Sequence, residues 1–169
     1  EAMVAEAKAK WGRVDILINN AGILRDKTFS KMTMDDFKKV VDVHLFGTVN
    51  CTKAVWETMR EQNYGRIVLT SSASGIYGNF GQSNYGAAKA AMVGFMNVLH
   101  HEGAKNNIRV NTLAPTAATR MLEGLIPPQV AELMAPELVT PGVLYLVSEN
   151  APSKTILGAG AGCFSVVHI

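Results

Sequence analysis

Short apolar runs without polar alternation, separated by helix-length segments, constrain the fold of this chain more than any other feature. Three such runs lie at 14–19, 66–71 and 108–114, and a fourth begins at 155. Runs of this kind are typical of a parallel sheet covered on both faces. Each link between them is long enough for the right-handed helical crossover that parallel strands require. The pattern therefore predicts an α/β fold with a Rossmann-like, doubly wound parallel sheet.

Helical patterns fill the links between the predicted strands. The predicted helices span 1–11, 33–62, 84–105 and 137–148. Thr33 is the expected cap of the second helix. Residues 71–83 are rich in serine, glycine and asparagine, which predicts a loop. Pro115 is expected to close the third strand, because proline cannot donate to a strand ladder.

Composition excludes several classes of function. The chain has 169 residues, 48% of them hydrophobic, which fits a single domain over 1–169. The 16 basic and 14 acidic residues form no long run of one sign, so neither nucleic acid nor a membrane surface is an expected partner. The longest apolar runs fall far short of the ~20 residues that a membrane span needs. We therefore expect a soluble protein.

Cysteine and histidine spacing gives no sign of a metal site. Cys51 and Cys163 lie far apart and outside any CxxC pattern, which indicates two free thiols in a reducing compartment. His100 and His101 are adjacent on a helix, so they point in different directions and are expected on a solvated face. The expected location is cytoplasmic, or peroxisomal if the parent protein is eukaryotic.

Polar residues follow each of the first three predicted strands. The three segments are 19–22, 71–83 and 115–120. Ligands of doubly wound sheets bind beyond the carboxyl ends of the strands. The three segments are therefore expected to line one crevice.

Three residues near this crevice have the chemistry of proton transfer. Tyr85 and Lys89 are four apart on a predicted helix and share a face. An ammonium beside a phenol favours the phenolate, so Lys89 is expected to lower the pKa of Tyr85 from its usual ~10. Ser72 ends a strand, and its hydroxyl could hold the oxygen of a reacting alcohol or carbonyl. Taken alone, a tyrosine and lysine so spaced more often lie on an ordinary helix surface.

Four motifs in this order and spacing resemble the short-chain dehydrogenase/reductase family. They are Asn19-Asn20-Ala21-Gly22, Ser71-Ser72, Tyr85-Gly86-Ala87-Ala88-Lys89 and Arg109-Val110-Asn111. Residues 70–82, with the departures from the family pattern at 44–47 and 115–120, resemble the (3R)-hydroxyacyl-CoA dehydrogenases within that family. The resemblance implies that Tyr85 is the catalytic acid/base and that Ser72 positions the substrate oxygen. It also implies that Lys89 lowers the pKa of Tyr85 and binds the nicotinamide ribose.

The same resemblance implies a nicotinamide cofactor. The residues that would contact it, besides Tyr85 and Lys89, are Asn20, Ala21, Gly22, Pro115, Thr116 and Thr119. NAD is favoured over NADP, although the residue that makes this choice in the family lies outside this chain.

One departure from the family pattern concerns the position of its active-site asparagine, where this chain has His44. A histidine there could hold a water or pass a proton, so His44 is a candidate catalytic residue. A hydrogen-bonded packing role is the alternative.

The family's phosphate-binding loop has no counterpart before Asn19, where no Thr-Gly-x-x-x-Gly-x-Gly occurs. We therefore expect the chain to be the C-terminal two-thirds of a short-chain dehydrogenase, without its first strands and helices. The glycines of 158–162 do not replace the loop, because Cys163 stands where a third fingerprint glycine belongs. They predict a glycine-rich turn and sheet edge.

The leading hypothesis is an oxidoreductase that moves a hydride between a nicotinamide and a secondary alcohol or ketone. By resemblance, the substrate is an acyl-CoA thioester, as a 3-hydroxyacyl-CoA/3-oxoacyl-CoA pair of fatty acid metabolism, and the enzyme is a homo-oligomer, a dimer in the family. The alternative is a catalytically inactive fragment or oligomerisation module of such an enzyme. Within the enzyme class, an epimerase or dehydratase also remains open.

Overall fold

All four predicted strands form, and they assemble in chain order into one sheet. A computed structural model of the chain describes residues 2–119 and 127–169. Its strands are β1 (Ile16–Asn19), β2 (Gly65–Thr70), β3 (Ile108–Thr116), β4 (Ile156–Gly160) and β5 (Cys163–Val167). The order is β1-β2-β3-β4-β5, with the first four strands parallel. The predicted α/β class is confirmed.

Helices connect the parallel strands, as the link lengths predict. The α-helices are α1 (Ala2–Trp11), α2 (Met34–Val41), α3 (Gly47–Gln62), α4 (Ala73–Tyr77), α5 (Ser83–Gly103), α6 (Pro128–Glu132) and α7 (Thr140–Val147). Short 3-10 turns lie at Phe29–Lys31, Ala104–Asn106 and Pro136–Val139. Among the described residues, none of the helices has the length and apolarity needed to cross a bilayer.

Apolar side chains of β2 pack on both sides of the sheet. Ile67 and Leu69 belong to a core cluster shared with α3 and α5, whereas Val68 belongs to a second cluster shared with α7. All of β2 is buried. This two-sided burial is why the strand reads as a continuous apolar run, and it confirms the doubly wound arrangement.

The long helix predicted over 33–62 is interrupted at its centre. Thr33 caps it as expected, since its side chain accepts a hydrogen bond from the backbone N–H of Asp36 at 3.1 Å. Residues Asp42–Phe46 then form a π-helical turn between α2 and α3. A π turn holds one extra residue, and such turns are frequent at functional sites. His44 lies within this turn.

Two local predictions were wrong. Residues 71–83 are not wholly a loop, because Ser72 caps the short helix α4. Strand β3 does not end before Pro115 but continues to Thr116. The reason is that the β2–β3 pairing stops at Leu113, so the proline lies where β3 bonds only to β4 and its missing N–H interrupts no ladder.

The glycine-rich end folds as a hairpin, in agreement with the predicted turn and edge. β4 and β5 pair antiparallel, and Ala161 and Gly162 join them with positive φ values of 51° and 73°. Two successive positive φ angles are typical of a tight hairpin turn. The edge strand β5 is therefore the antiparallel exception in a parallel sheet.

Candidate active site

The end of β2 positions two adjacent serines with different contacts. Ser71 is buried, and its hydroxyl donates to the backbone carbonyl of Lys89 at 2.8 Å, which ties α5 to β2. Ser72 has extended backbone, and its Oγ accepts from the N–H of Ser74 at 3.2 Å as the cap of α4. A strand followed at once by a capped helix therefore places the Ser72 hydroxyl at the carboxyl edge of the sheet.

Helix α5 presents Tyr85 and Lys89 to the same edge because its first turn is anchored. Asn84 is fully buried, and its Oδ1 accepts from the N–H of Tyr85 at 2.7 Å while its Nδ2 donates to Arg25 O at 3.0 Å. Gly75 lets α4 approach α5, since a Cβ there would lie 2.7 Å from backbone atoms of Lys89. The close approach brings Ser72 to Tyr85.

Lys89 is buried without an acidic partner among residues 2–119 and 127–169. Its Nζ donates to the carbonyl of Thr70 at 2.7 Å and lies 5.5 Å from the centre of the Tyr85 ring. Burial lowers the pKa of the ammonium to about 8. An ammonium has three N–H groups, so donors beyond the one on Thr70 remain for a ligand.

The pKa of Tyr85 differs from the sequence-based expectation. Burial of the phenol raises its pKa, a side-chain hydrogen bond with Ser72 opposes that rise, and the negative charge of Asp26 adds to it. The expected depression by Lys89 is therefore not observed. The four-residue spacing correctly predicted that Tyr85 and Lys89 lie close together, but it did not indicate how deeply the phenol is buried.

His44 lies against the Tyr85 ring. The two rings meet edge to face, with centroids 5.1 Å apart and planes at 88°. The Nε2 atom is 2.8 Å from Ile23 O and 3.1 Å from Ile23 N. Burial lowers the pKa of His44, the backbone bond to Ile23 raises it, and the positive charge of Lys89 lowers it. The imidazole is thus in contact with both the phenol and the loop after β1.

The residues expected on the cofactor side fall at the carboxyl edge, but their contacts differ. The Asn20 Oδ1 lies 3.5 Å from the hydroxyl of Thr70, which donates to it, and Gly22 lies against the His44 ring. Ala21 between them is exposed. Pro115 and Thr116 end β3, and Thr119 is the last residue described before the gap. The cofactor contacts of Pro115, Thr116 and Thr119 stay predictions.

Three residues of the site were missed from the sequence. Thr70 supplies the carbonyl that holds Lys89, Ser71 anchors α5, and Asn84 anchors the turn that carries Tyr85. Each is a sequence neighbour of a predicted residue, and that adjacency was the available signal. Polarity at such positions does not by itself reveal a bond to a distant backbone group.

The donors at this edge fit one end of a nicotinamide cofactor. The buried Lys89 ammonium retains N–H groups suited to sugar hydroxyls, and the Tyr85 and Ser72 hydroxyls lie beside it. A diphosphate would need a glycine-rich turn at a helix N-terminus, which the sequence lacks before Asn19. Groups that could bind a nicotinamide ribose and a reacting oxygen are therefore present at this edge, whereas the sequence before Asn19 contains no phosphate-binding loop of the predicted type.

A serine, tyrosine and lysine at the carboxyl ends of a doubly wound parallel sheet define a class of nucleotide-dependent oxidoreductases. The family model described as short chain dehydrogenase matches residues 1–128. The chain belongs to the short-chain dehydrogenase family.

Known relatives agree with this assignment. Peroxisomal multifunctional enzyme A of Dictyostelium discoideum is 48% identical over 100% of this chain, which spans 38% of that protein. Acetoacetyl-CoA reductase of an Acinetobacter species is 45% identical over 91% of this chain and 66% of its own length. The structure of full-length peroxisomal multifunctional enzyme type 2 from Drosophila melanogaster matches 90% of this chain and 28% of its own, with a TM-score of 0.83 and 44% identity.

Proposed function

We propose that the protein carries the proton-transfer half of a short-chain dehydrogenase that interconverts a secondary alcohol and a ketone with a nicotinamide cofactor. The observation that carries this proposal is the buried Lys89 ammonium, which lies 5.5 Å from the centre of the Tyr85 ring. Ser72 lies close enough to the phenol to oppose the rise of its pKa. A structural tyrosine and lysine on a helix surface need neither the burial nor the serine. The three groups together can hold an alcohol oxygen and take its proton.

In the proposed reaction, Tyr85 accepts the alcohol proton while Ser72 donates a hydrogen bond to the same oxygen. Bound nicotinamide supplies the redox chemistry by accepting the hydride. Because burial raises the pKa of Tyr85, the phenol favours its protonated form, which suits donation of a proton to a ketone. Oxidation of an alcohol then requires positive charge close to the phenolate, and Lys89 is the nearest cation.

The cofactor contacts remain those inferred from the family resemblance. Lys89 and Tyr85 are proposed to bind the nicotinamide ribose, with Thr116 and Thr119 near the nicotinamide. The others on this side are Asn20, Ala21, Gly22 and Pro115. NAD is preferred to NADP in this proposal, and the first half of the fold would supply the phosphate-binding loop. The chain would then be the C-terminal two-thirds of one catalytic domain.

An acyl thioester is the proposed substrate. A cavity of about 410 Å³ lies between α4, the end of β3 and the β4–β5 hairpin, and Ala73, which follows Ser72, is part of its wall. Ile76, Met134 and Phe164 make that wall largely apolar. An apolar space whose wall includes the residue after Ser72 suits the hydrocarbon part of such a substrate. The name of the Acinetobacter relative, an acetoacetyl-CoA reductase, agrees with a 3-hydroxyacyl-CoA/3-oxoacyl-CoA pair.

Location and assembly follow from the relatives by analogy. The Dictyostelium and Drosophila proteins are named peroxisomal, so a peroxisomal parent is proposed if this chain is eukaryotic, and a cytoplasmic one otherwise. We propose a homodimer, because dimers are usual in the short-chain dehydrogenase family.

A second candidate function is a packing module without activity of its own. Strand β1 pairs only with β2 among the described strands, and Ile16 and Ile18 on its face are 46% and 45% exposed. Apolar side chains on a parallel strand are ordinarily covered. This observation favours a chain that needs further structure against β1 before it binds cofactor.

Titration with NAD⁺ and NADH, followed by nicotinamide fluorescence, separates the two candidates. It would compare this chain with a version extended at its N-terminus by a dinucleotide-binding half. Binding only by the extended chain supports the packing role of the chain alone and the dehydrogenase role of the whole. Binding by neither contradicts the dehydrogenase proposal. Net NADH formation from a 3-hydroxyacyl-CoA would exclude an epimerase or dehydratase, which leaves no net reduced cofactor.

A further inference from the structure

We propose that His44 is a positioning residue that holds the loop of residues 20–23 against Tyr85, and that it does so through Nε2. This inference rests on the proposed function only for the role of Tyr85 in proton transfer. It concerns the geometry of the chain in hand, so it can be tested without cofactor. It also decides between the two roles that the sequence left open for His44.

The backbone around His44 directs the imidazole inward. His44 is the middle residue of the π-helical turn, and only 3% of it is exposed. A π turn shifts the residues after it by one place relative to a regular α-helix. The shift changes which side chains of this helix face the sheet edge. The irregularity coincides with the residue that contacts both Tyr85 and the loop.

The loop after β1 is shaped around the imidazole. A Cβ at Gly22 would lie 2.2 Å from Cε1 of His44, a distance that no real pair of carbon atoms adopts without movement. The ring therefore fills the space that a side chain at position 22 would need. The next residue, Ile23, provides both backbone atoms that approach Nε2. The imidazole of His44 thus explains both why residue 22 is a glycine and why the loop after β1 follows its path.

The two ring nitrogens have different surroundings, and this identifies the working atom. Nε2 lies closer to the carbonyl of Ile23, at 2.8 Å, than to its N–H, at 3.1 Å. The shorter contact is that of an Nε2–H donor to a carbonyl oxygen. Nδ1 is buried and has no hydrogen-bond partner among residues 2–119 and 127–169. A neutral ring with its proton on Nε2 satisfies the carbonyl of Ile23, though not its N–H, and leaves Nδ1 as an acceptor.

His44 also limits the space available to Tyr85. Its ring edge packs against the phenol, and Lys89 is the cation whose charge reaches both rings. Loss of the imidazole would admit water beside Tyr85. Because burial raises the pKa of the phenol, added water should move its titration midpoint downward.

Two amide substitutions test which ring nitrogen of His44 holds the loop. The His44→Gln amide can place its nitrogen near the position of Nε2, whereas the shorter His44→Asn amide matches Nδ1. We expect His44→Gln to keep the slow amide hydrogen exchange of loop residues 21–23 and the Tyr85 titration midpoint. We expect His44→Asn to speed that exchange by about two- to tenfold, the value of one hydrogen bond, and to lower the midpoint.

A double-mutant cycle tests the fit between ring and loop. Gly22→Ala should speed exchange of the loop amides in the native background, because its methyl group overlaps the imidazole. The same change in a His44→Ala background should have little further effect. His100→Gln is the matched control, since His100 pairs with Ser153 at the far end of α5 and should leave both readouts unchanged.

Several results would overturn the proposal. They are retention of both properties by His44→Asn but not by His44→Gln, additive effects in the Gly22 cycle, and imidazole ¹⁵N shifts in the native chain that show Nε2 without a hydrogen bond. The last measurement needs no variant, so a failure of the variants to fold does not prevent the test. Failure of NAD binding with these readouts as expected would count against the proposed function alone.

Discussion

A buried cation lies at each end of β2, and the two are held in different ways. Arg66, near the amino end, is 1% exposed and donates to the backbone carbonyls of Gly65, Asn107, Ser148 and Glu149 at 2.8–3.0 Å. Lys89 reaches the carboxyl end and is 4% exposed, but it has one carbonyl acceptor, that of Thr70. Neither forms an ion pair within the described residues.

The difference separates a structural cation from one available for chemistry. The guanidinium of Arg66 has a fixed fork of donors, and three chain segments meet at it: the start of β2, the residue before β3 and the turn after α7. It therefore fixes the chain at the amino edge of the sheet. The ammonium of Lys89 is poorly satisfied by the protein, and its pKa of about 8 records the cost of burying it. The amino edge is therefore built for stability, whereas the carboxyl edge retains unsatisfied donors for a ligand.

The largest expected effect is on turnover at the carboxyl edge. In an N-terminally extended chain that binds NAD, Tyr85→Phe should lower kcat by about 10²–10⁴, the usual share of general acid/base assistance. The free energy of unfolding should change little, because the ring and its contact with His44 remain. Steady-state NADH formation and urea unfolding measure the two quantities. An unchanged kcat would remove Tyr85 from the proposed mechanism.

At the amino edge of the sheet, substitution of the buried cation is expected to change stability more than turnover. Arg66→Met should lower the free energy of unfolding by about 3–5 kcal/mol, since it removes four hydrogen bonds from a buried charged donor; Asn107 O and Ser148 O keep backbone donors in Gly65 and Ala151. Arg66→Lys is the matched control that keeps the charge but not the fork, and it should recover part of the loss. Urea unfolding gives both values. Wild-type stability in Arg66→Met would mean that the four carbonyls are satisfied by other means.

Removal of the Lys89 cation should increase the free energy of unfolding, whereas removal of the Arg66 cation should decrease it. The native pKa of about 8 lies below the unfolded value of 10.5, so the unfolded chain binds more protons between these pH values and stability rises with pH. Lys89→Met should remove this rise and stabilise the chain at pH 7 by about 1–3 kcal/mol. Unfolding measured from pH 7 to 10 tests it, and the range stops there because the raised pKa of Tyr85 lowers stability at higher pH. Destabilisation at pH 7 would show that Lys89 is held as firmly as Arg66.

Ser71→Ala should have the smallest effect, about 1 kcal/mol of unfolding free energy. It removes the hydroxyl that ties the Lys89 carbonyl to β2 and leaves the catalytic groups in place. Thermal unfolding, with Ser71→Cys as a control of similar volume, gives the magnitude. A loss above about 3 kcal/mol would place part of the fold-stabilising role at the carboxyl edge and weaken the contrast with Arg66.

The strands and their parallel pairing were predictable, but several local features were not. The apolar runs of β2 and β3 are long enough that only burial on both faces explains them. No sequence pattern indicated the π turn at His44 or the helix after Ser72, because each depends on contacts with another element of the fold. Pro115 misled the prediction, since a proline is excluded only where its N–H would face a partner strand.

Residue spacing by itself determined that this chain is an α/β protein, that Ser72 follows a strand and that Tyr85 and Lys89 share a helix face. Helical and strand periodicity, and the length of the link between consecutive strands, depend only on residues close in sequence. The sequence therefore shows them directly. Tertiary structure alone decided that the phenol is buried, that Lys89 is left with one acceptor and that His44 supports the loop at Gly22. Burial and hydrogen-bond satisfaction depend on residues distant in sequence, so no local pattern contains them.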